Sequence, residues 1–398
     1  MNQRANQTMQ EKDKTEQISA TILQVLPALG SSGGVERGTV EVAEAVVGSG
    51  GRAIVASAGG GRVHELTRVG AEHVVMPLNS KNPITVYKNI SRLSELVVRE
   101  GVNLIHARSR APAWSAYYAA QRTDRPFVTT FHGTYNFSNF LKNYYNSIMT
   151  RGERVIAISD FIATHIRRLY GVSVGKIRII PRGVDISRFD PAQVSAERVI
   201  NLANDWRLDD GMPVIMLPGR LTRWKGHKVF IEAIARLGRR DLRCLIVGSD
   251  QGRKKYRREL EALVEEHGLG DVVRIVDQCD DMPAAYMLSD VVVSASTDPE
   301  AFGRVIVEAQ ALGRPVIATD HGGATESVIE GKTGWLIPPG EVIPLVNALS
   351  SILDMSENDR AVLSKAAIAN TTSYFSKEVM CKNVLNVYNE ILNERGSN

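Results

Sequence analysis

Short apolar, β-branched segments recur along the chain, and each is followed by a glycine-containing turn and an amphipathic stretch. Strands that alternate with helices at this spacing indicate βαβ units, in which helices cover both faces of a parallel sheet. In the first half the predicted strands are TILQVLPAL, AIVAS, HVVMPL, LIHA, FVTTF, VIAIS and IRIIP. In the second half they are VIMLPG, LRCLIVG, VVRIV, VVVSAS, PVIAT and GWLIP. The pattern therefore predicts an α/β fold.

The series of predicted strands restarts after a polar, irregular stretch around residues 185–210, which we interpret as a linker. We therefore predict two tandem Rossmann-like, doubly wound domains, at residues 18–190 and 191–376, that face each other across a ligand-binding cleft. The length of 398 residues agrees with two domains. Residues 1–17 are polar and predict a disordered tail, and the pattern of residues 377–398 is typical of an amphipathic helix.

Cysteine usage and hydropathy indicate where the protein resides. Cys244, Cys279 and Cys381 are odd in number and widely spaced, and they form no zinc or disulfide pattern, which favours a reducing compartment. No apolar run is long enough to span a bilayer, and the polar first 17 residues lack the apolar stretch of a signal peptide. The sequence therefore predicts a cytoplasmic protein.

The formal net charge of +4 conceals an asymmetry between the two halves of the chain. Residues 18–185 contain 20 Lys and Arg against 11 Asp and Glu, whereas residues 186–398 contain 25 against 30. A basic first half suits an anionic membrane surface or an acidic acceptor, although a solvated basic surface gives the same count. No nucleic-acid-binding motif accompanies the charge.

Two segments at the carboxyl ends of predicted strands suit phosphate groups. Gly33 and Gly34 of GSSGGVE lie between the first strand and a helix, where backbone amides approach an anion. A tight turn is the alternative, because neither the dinucleotide fingerprint nor a Walker loop is complete. In GRLTRWK, Arg220 and Lys225 offer a planar fork and a point charge to a diphosphate. A solvated basic loop is the alternative there.

The segment EAFGRVIVE carries two carboxylates, Glu300 before a glycine turn and Glu308 inside the helix that follows. Eight residues span a little over two helical turns, so the two do not stack as a simple helical pair. Carboxylates accept hydrogen bonds from sugar or ribose hydroxyls, and the helix-start amides of Phe302, Gly303 and Arg304 suit phosphate. Each glutamate alone is equally a surface charge, but the three segments share equivalent strand ends and predict one joint site.

Further candidates follow two strands of the first domain. His132 in TFHGTY is placed to hydrogen-bond a substrate or to take part in proton transfer near neutral pH, with a structural turn histidine as the alternative. His106, Arg108 and Arg110 in LIHARSR are candidates to bind an anionic acceptor.

These segments together resemble the retaining glycosyltransferases of family 4, which have the GT-B fold. The resemblance rests on GGVE, GRLTRWKG, the E-x7-E segment and TDHGGATESVIEGKTGWLIPP, and it runs from about Thr21 to Glu394 in the family's order. It implies retaining transfer of a hexose from a nucleoside-diphosphate sugar, with no cofactor. No D-x-D sequence occurs, so no metal is needed to explain leaving-group stabilisation. It also implies that the carboxyl-terminal helix crosses back to the first domain.

The resemblance assigns the residues closest to the reaction. Arg220 and Lys225 neutralise the departing diphosphate, and Glu300 binds hydroxyls of the donor sugar. His132 corresponds to the histidine that contacts the donor sugar near the reacting carbon. The family usually has serine or threonine before its histidine loop, whereas Phe131 directly precedes His132 here.

The resemblance also assigns residues that hold the donor. Gly33 and Gly34 contact the phosphates or the sugar through their backbone. Glu308 binds the nucleotide ribose, and the amides of 302–304 help to hold sugar and phosphate. The base lies by the strand 272–276 and its following loop.

The basic first half and the aromatic, basic segment 140–154 lead to a hypothesis for the acceptor. It is a membrane-associated glycolipid of lipopolysaccharide core or another envelope polysaccharide, used by an enzyme peripheral at the inner face of the cytoplasmic membrane. The alternatives are a sugar-nucleotide epimerase or glycoside phosphorylase on the same fold, and a non-catalytic nucleotide-sugar-binding subunit. Hydrolysis by paired carboxylates is rejected because the family role of these glutamates is hydroxyl binding.

Overall fold

The computed structural model describes residues 17–30, 33–135, 139–208 and 210–396 of the chain. The predicted tail up to residue 16 and two serines of the first glycine loop, 31 and 32, lie outside these residues. The chain separates into two compact units. The first runs to Pro181 and resumes at Glu378, and the second comprises Arg182–Lys377.

The first unit is built on a parallel sheet of seven strands in the order β3-β2-β1-β4-β5-β6-β7. Its strands are β1 (Thr21–Val25), β2 (Arg52–Ser57), β3 (Glu72–Val75), β4 (Leu104–Ala107), β5 (Phe127–Phe131), β6 (Arg154–Ala157) and β7 (Ile177–Ile179). Its helices before the crossing to the second unit are α1 (Gly34–Gly48), α2 (Val63–Arg68), α3 (Pro83–Arg99), α4 (Arg110–Thr123), α5 (Phe140–Ser147) and α6 (Asp160–Tyr170).

The second unit has a parallel sheet of six strands in the order β10-β9-β8-β11-β12-β13. Its strands are β8 (Val214–Pro218), β9 (Arg243–Val247), β10 (Val273–Val276), β11 (Val291–Ser294), β12 (Val316–Thr319) and β13 (Trp335–Ile337). Its helices are α7 (Ala196–Asp205), α8 (His227–Leu237), α9 (Lys254–Glu266), α10 (Met282–Leu288), α11 (Arg304–Ala311), α12 (Val342–Leu353) and α13 (Glu357–Tyr374). The final helix, α14 (Lys377–Gly396), returns the chain to the first unit.

Every strand predicted from the apolar segments is present, and the prediction of two Rossmann-like doubly wound domains is confirmed. The stretch predicted to be irregular around 185–210 is different, because it contains α7. Ser195 caps this helix, and Arg198 forms an ion pair of 2.6 Å with Asp281 at the start of α10. The helix is short and none of its residues is buried, so it adds little to the core of the unit.

Helix α14 packs on the sheet of the first unit. Its buried apolar side chains join the same core cluster as those of β1 and α1; they are Met380, Cys381, Val384, Leu385, Val387, Tyr388 and Ile391. Ion pairs reinforce the contact, with Arg154 lying 2.8 Å from Glu390 and Arg395 lying 2.6 Å from Glu153. None of the helices in the described part of the chain has the length and apolar character that a membrane span requires.

His106 connects α14 to the strands beneath it. Its Nδ1 lies 2.6 Å from the hydroxyl of Tyr388, and its Nε2 lies 2.7 Å from Oγ1 of Thr130. Burial, and secondly the charge of Arg108, hold the pKa of His106 well below its usual value, so the ring is neutral. His106 is fully buried and Arg108 is 2% exposed. Neither side chain reaches the surface, a placement that does not favour the predicted role of these two residues in binding an acceptor.

Tyr388→Phe is expected to lower the free energy of unfolding by about 1–3 kcal/mol, because it leaves a buried His106 nitrogen without its partner. Urea unfolding followed by tryptophan fluorescence and circular dichroism measures the change. Tyr374→Phe is the matched control, because that tyrosine is 66% exposed. Equal stability of the two variants would contradict the role of the His106–Tyr388 contact.

Candidate functional site

The second sheet places its best candidate site where the strand order reverses. The chain passes from β8 to β9 on one side, whereas β11 pairs with β8 on the other. Ligands of doubly wound sheets bind outside the carboxyl ends of the strands at such a point. The loop after β8 carries Lys225, and the loop after β11 carries Glu300. The topology therefore brings together two residues that lie 75 positions apart in sequence.

The two loops are held against each other at Gly226. Its φ of +72° is in the left-handed region, and a Cβ added there would lie 1.8 Å from the carbonyl oxygen of Ala295. A residue with a side chain is excluded by this contact. The backbone amide of Thr297 also donates a 2.7 Å hydrogen bond to the carbonyl of Trp224. Lys225 lies between these two contacts and is fixed by both.

Lys225 and Glu300 form a buried ion pair. The Lys225 Nζ lies 2.7 Å from Oε1 of Glu300, and the side chains are 10% and 12% exposed. The hydroxyls of Ser296 and Ser294 donate to the same oxygen at 2.5 Å and 3.2 Å. Burial raises the pKa of Glu300, but the charge of Lys225 and these hydrogen bonds outweigh it and leave the pKa below its usual value. The carboxylate is therefore ionised at neutral pH.

Glu308 occupies a second buried position on α11, where it is 8% exposed. Nη2 of Arg304, one turn earlier on the helix, lies 2.7 Å from its Oε1. The hydroxyl of Tyr286 donates to its Oε2 at 3.1 Å. Gly303 caps the helix with a φ of +89°, a conformation that favours glycine. The helix thus begins directly after the Glu300 loop and orients Glu308 with partners on both oxygens.

The other predicted residues of this unit differ in their surroundings. Arg220 follows β8, its side chain is exposed, and it forms no ion pair with any residue that the structure describes. Phe302 is 3% exposed and packs against Phe375, with ring centroids 5.9 Å apart. The amide of Gly323, from the predicted closing segment, donates a 2.8 Å hydrogen bond to the carbonyl of Glu300. Arg220 is therefore available to a ligand, and Phe302 supports the loop.

The first glycine loop has a carboxylate of its own chain, that of Glu36, beside Gly33. Gly33 caps α1 and Gly34 begins it. A Cβ added at Gly33 would lie 1.6 Å from Oε2 of Glu36, so the carboxylate of Glu36 occupies the space beside this glycine. The helix start predicted to meet donor phosphates therefore has an anionic group of its own chain next to it.

The remaining candidates also belong to the first unit. His132 is half-buried and directly follows β5. Arg110 begins α4, donates a 2.7 Å hydrogen bond to Oδ1 of Asn146 and lies 4.0 Å from the ring centroid of Tyr135. Both residues belong to the first unit, whereas the Lys225–Glu300 pair belongs to the second.

Sequence reasoning did not identify Ser294, Ser296, Tyr286 or the side-chain role of Arg304. The two serines end the segment VVVSAS, and hydroxyls at the carboxyl end of a central strand were the available signal. The spacing of Arg304 and Glu308, four residues apart on one helix, was readable as an ion pair. Tyr286 had no local signal, because its contact depends on how α10 packs.

Comparison with known proteins agrees with this geometry. Residues 200–370 match the family described as Glycosyl transferases group 1, and residues 32–188 match Glycosyltransferase Family 4. The crystal structure of a glycosyltransferase from Rickettsia africae is 38% identical, with a TM-score of 0.87 over 94% of this chain and 99% of that chain. The chain belongs to the family 4 glycosyltransferases of GT-B fold. This glycosyltransferase therefore transfers a sugar from a nucleotide sugar to an acceptor.

Two other proteins resemble the family 4 enzyme over most of its length. A D-inositol 3-phosphate glycosyltransferase of Xylanimonas cellulosilytica is 29% identical over 311 residues, which cover 74% of this chain and 73% of that protein. The structure of HepE from Anabaena in complex with UDP is 25% identical, with a TM-score of 0.79 over 94% of this chain and the whole of that chain.

Proposed function

We propose that the enzyme transfers a hexose from a nucleoside-diphosphate sugar to a membrane-associated glycolipid, with retention of the anomeric configuration and without a metal. The observation that carries the donor half is the buried Lys225–Glu300 pair at the strand-order reversal of the second sheet. It combines a cation suited to a diphosphate with a carboxylate suited to sugar hydroxyls.

The surrounding residues support a complete donor site. Arg220 is exposed and lies in the same loop as Lys225, so the loop offers two cations to the diphosphate. Oε1 of Glu300 is occupied by its three donors, which leaves Oε2 for a sugar hydroxyl. Glu308 suits the ribose, and the amides at the start of α11 suit phosphate oxygens. The diphosphate, the sugar and the ribose of a nucleotide sugar each have a group of matching chemistry here.

The chemical step breaks the bond between the anomeric carbon and a diphosphate oxygen, and the electron pair leaves with the diphosphate. The acceptor hydroxyl oxygen forms the new bond to the same carbon. Its proton passes to the departing phosphate oxygen on the same face of the sugar, which retains the configuration. Lys225 and Arg220 stabilise the charge that develops on the leaving group, the term that usually dominates such a step.

The first unit carries an exposed surface that suits a membrane. We name it the aromatic face; it comprises Trp114, Phe140, Leu141, Tyr144 and Arg151. Phe140 and Leu141 at the start of α5 are 81% and 78% exposed. The rings of Trp114 and Tyr144 lie 5.2 Å apart, and the guanidinium of Arg151 lies 5.0 Å from the Trp114 centroid. Residues 101–152 contain six Lys and Arg and one Asp, so the aromatic face is in a basic region.

Donor screening tests the activity. UDP-, GDP- and ADP-hexoses are assayed for thermal stabilisation, where a donor at 100 times its dissociation constant adds about 2.7 kcal/mol. We expect one nucleotide to stabilise the protein, turnover to persist in EDTA, and NMR of the product to show retention. Conversion of the donor without any acceptor would favour an epimerase instead. Binding without turnover on any glycolipid would favour a non-catalytic subunit.

Vesicle binding tests the acceptor half of the proposal. Vesicles containing phosphatidylglycerol are expected to sediment the protein, and vesicles of phosphatidylcholine alone are not. The double variant Phe140→Ala, Leu141→Ala should lose this binding. Ile343→Ala is the control, because Ile343 is 51% exposed on α12 of the other unit. Equal binding by both variants, or activity confined to soluble acceptors, would contradict the glycolipid proposal.

Glu308→Ala is expected to raise the dissociation constant of the donor roughly tenfold or more, while turnover at saturating donor changes little. The reason is that the ribose is remote from the bond that breaks. Calorimetry and steady-state kinetics separate the two effects. Glu261→Ala removes a 49% exposed carboxylate of the same unit and serves as the control. A large loss of turnover with unchanged donor affinity would contradict a ribose role.

A further inference from the structure

We propose that Ser294 and Ser296 are positioning residues whose hydroxyls hold Oε1 of Glu300, so that Oε2 is the oxygen presented to a hydroxyl of the donor sugar. This inference rests on the proposed role of Glu300 as a sugar ligand. It adds two residues that act through Glu300 and not by touching the substrate.

The geometry at Glu300 is asymmetric. Oε1 accepts from Nζ of Lys225 at 2.7 Å, from Oγ of Ser296 at 2.5 Å and from Oγ of Ser294 at 3.2 Å. A carboxylate oxygen has two lone pairs, so three donors leave it no capacity for a fourth. The described residues place no donor on Oε2. An incoming sugar hydroxyl therefore meets Oε2.

The backbone fixes both serines. Ser294 is the last residue of β11 and Ser296 follows two positions later, and both hydroxyls reach the same oxygen of Glu300. Ala295 between them meets Gly226 of the neighbouring loop. Ser294 is 7% exposed and Ser296 is 1% exposed. Their hydroxyls are thus rigid donors, whereas the long side chain of Lys225 has several rotatable bonds.

The hydroxyls of Ser294 and Ser296 are important because Lys225 also has to bind a second anion, the diphosphate of the donor. When a diphosphate binds, the ammonium of Lys225 shares its charge between phosphate and Glu300. The serine hydroxyls carry no charge, so they do not compete for the diphosphate, and they continue to stabilise the buried carboxylate. Lys225 is the charged group that faces Glu300 within the described part of the chain. Without Ser296, the pKa of Glu300 should therefore rise, because burial already raises it.

The test compares a nucleotide with its sugar derivative, for example UDP with UDP-glucose, by calorimetry. In Ser296→Ala, affinity for the sugar nucleotide is expected to fall about tenfold, while affinity for the nucleotide alone is unchanged. The sugar also adds affinity that depends on ionised Glu300. As the pH is lowered, Ser296→Ala should lose this added affinity at a higher pH than the wild type does. Ser294→Ala should show a smaller loss, because its contact is longer. Ser296→Thr should restore the sugar-dependent affinity.

Thr297→Ala is the matched control, because its exposed hydroxyl faces the Trp224 carbonyl at 3.3 Å and does not touch Glu300. Equal losses for nucleotide and sugar nucleotide in Ser296→Ala would indicate a merely structural role and overturn the proposal. Unchanged affinities would overturn it as well. If the wild-type protein binds no sugar nucleotide more tightly than the matching nucleotide alone, the proposed role of Glu300 itself is overturned. This outcome is seen before any serine is replaced.

Discussion

Lys225→Ala is expected to lower turnover by at least about a hundredfold. The variant loses a cation that stabilises the diphosphate as it departs. It also leaves Glu300, 12% exposed, without the charge that balances its own. Removing one partner of a buried pair costs more than the pair itself contributes. Kinetics at saturating donor, together with a thermal unfolding curve, distinguish the catalytic loss from a loss of folded protein.

Two further variants separate the role of Lys225 from the effect of removing any lysine of this region. Lys228→Ala removes a 49% exposed lysine that lies 3.8 Å from Glu259, and it should be near wild type in turnover and stability. Lys225→Arg keeps the charge in a larger, planar group and should retain stability while turnover stays low. A near-wild-type rate in Lys225→Ala would remove Lys225 from the catalytic assignment.

Glu300→Ala is expected to cause a loss of similar size, at least about a hundredfold in turnover. The sugar loses a hydrogen-bond acceptor, and Lys225 loses the partner that fixes its position 2.7 Å away. Glu300→Gln keeps the shape and removes the charge, so it shows how much of the loss is electrostatic. Glu259→Ala is the control, because that carboxylate is 28% exposed and pairs with Arg223 at the surface.

The double variant Lys225→Ala, Glu300→Ala tests whether the two residues act as one unit. The fold-decrease in turnover of the double variant should be much smaller than the product of the two single decreases, because either change already disrupts the pair. Losses that multiply would indicate two independent ligands, and intact turnover in Glu300→Ala would contradict the sugar role.

The sequence predicted the members of the site better than their relation to one another. Lys225 and Glu300 were interpreted as ligands of different parts of the donor, one for phosphate and one for sugar. The structure shows that they are also partners, because β8 and β11 are adjacent in the sheet. Ser296 was missed for the same reason. Its hydroxyl is ordinary in the sequence and becomes informative only beside the carboxylate of Glu300.

Apart from helix α7, the sequence by itself determined the order and type of the elements and the loops that carry the chemistry. These properties follow from local periodicity, since apolar β-branched runs and glycine turns need no distant partner to be recognised. Tertiary structure decided which polar residues are buried and what they bind. His106 resembled a ligand in sequence, yet it is a core residue because Tyr388, 282 positions away, packs beside it. Burial and hydrogen-bond partners depend on which elements become neighbours, and only the folded chain fixes that.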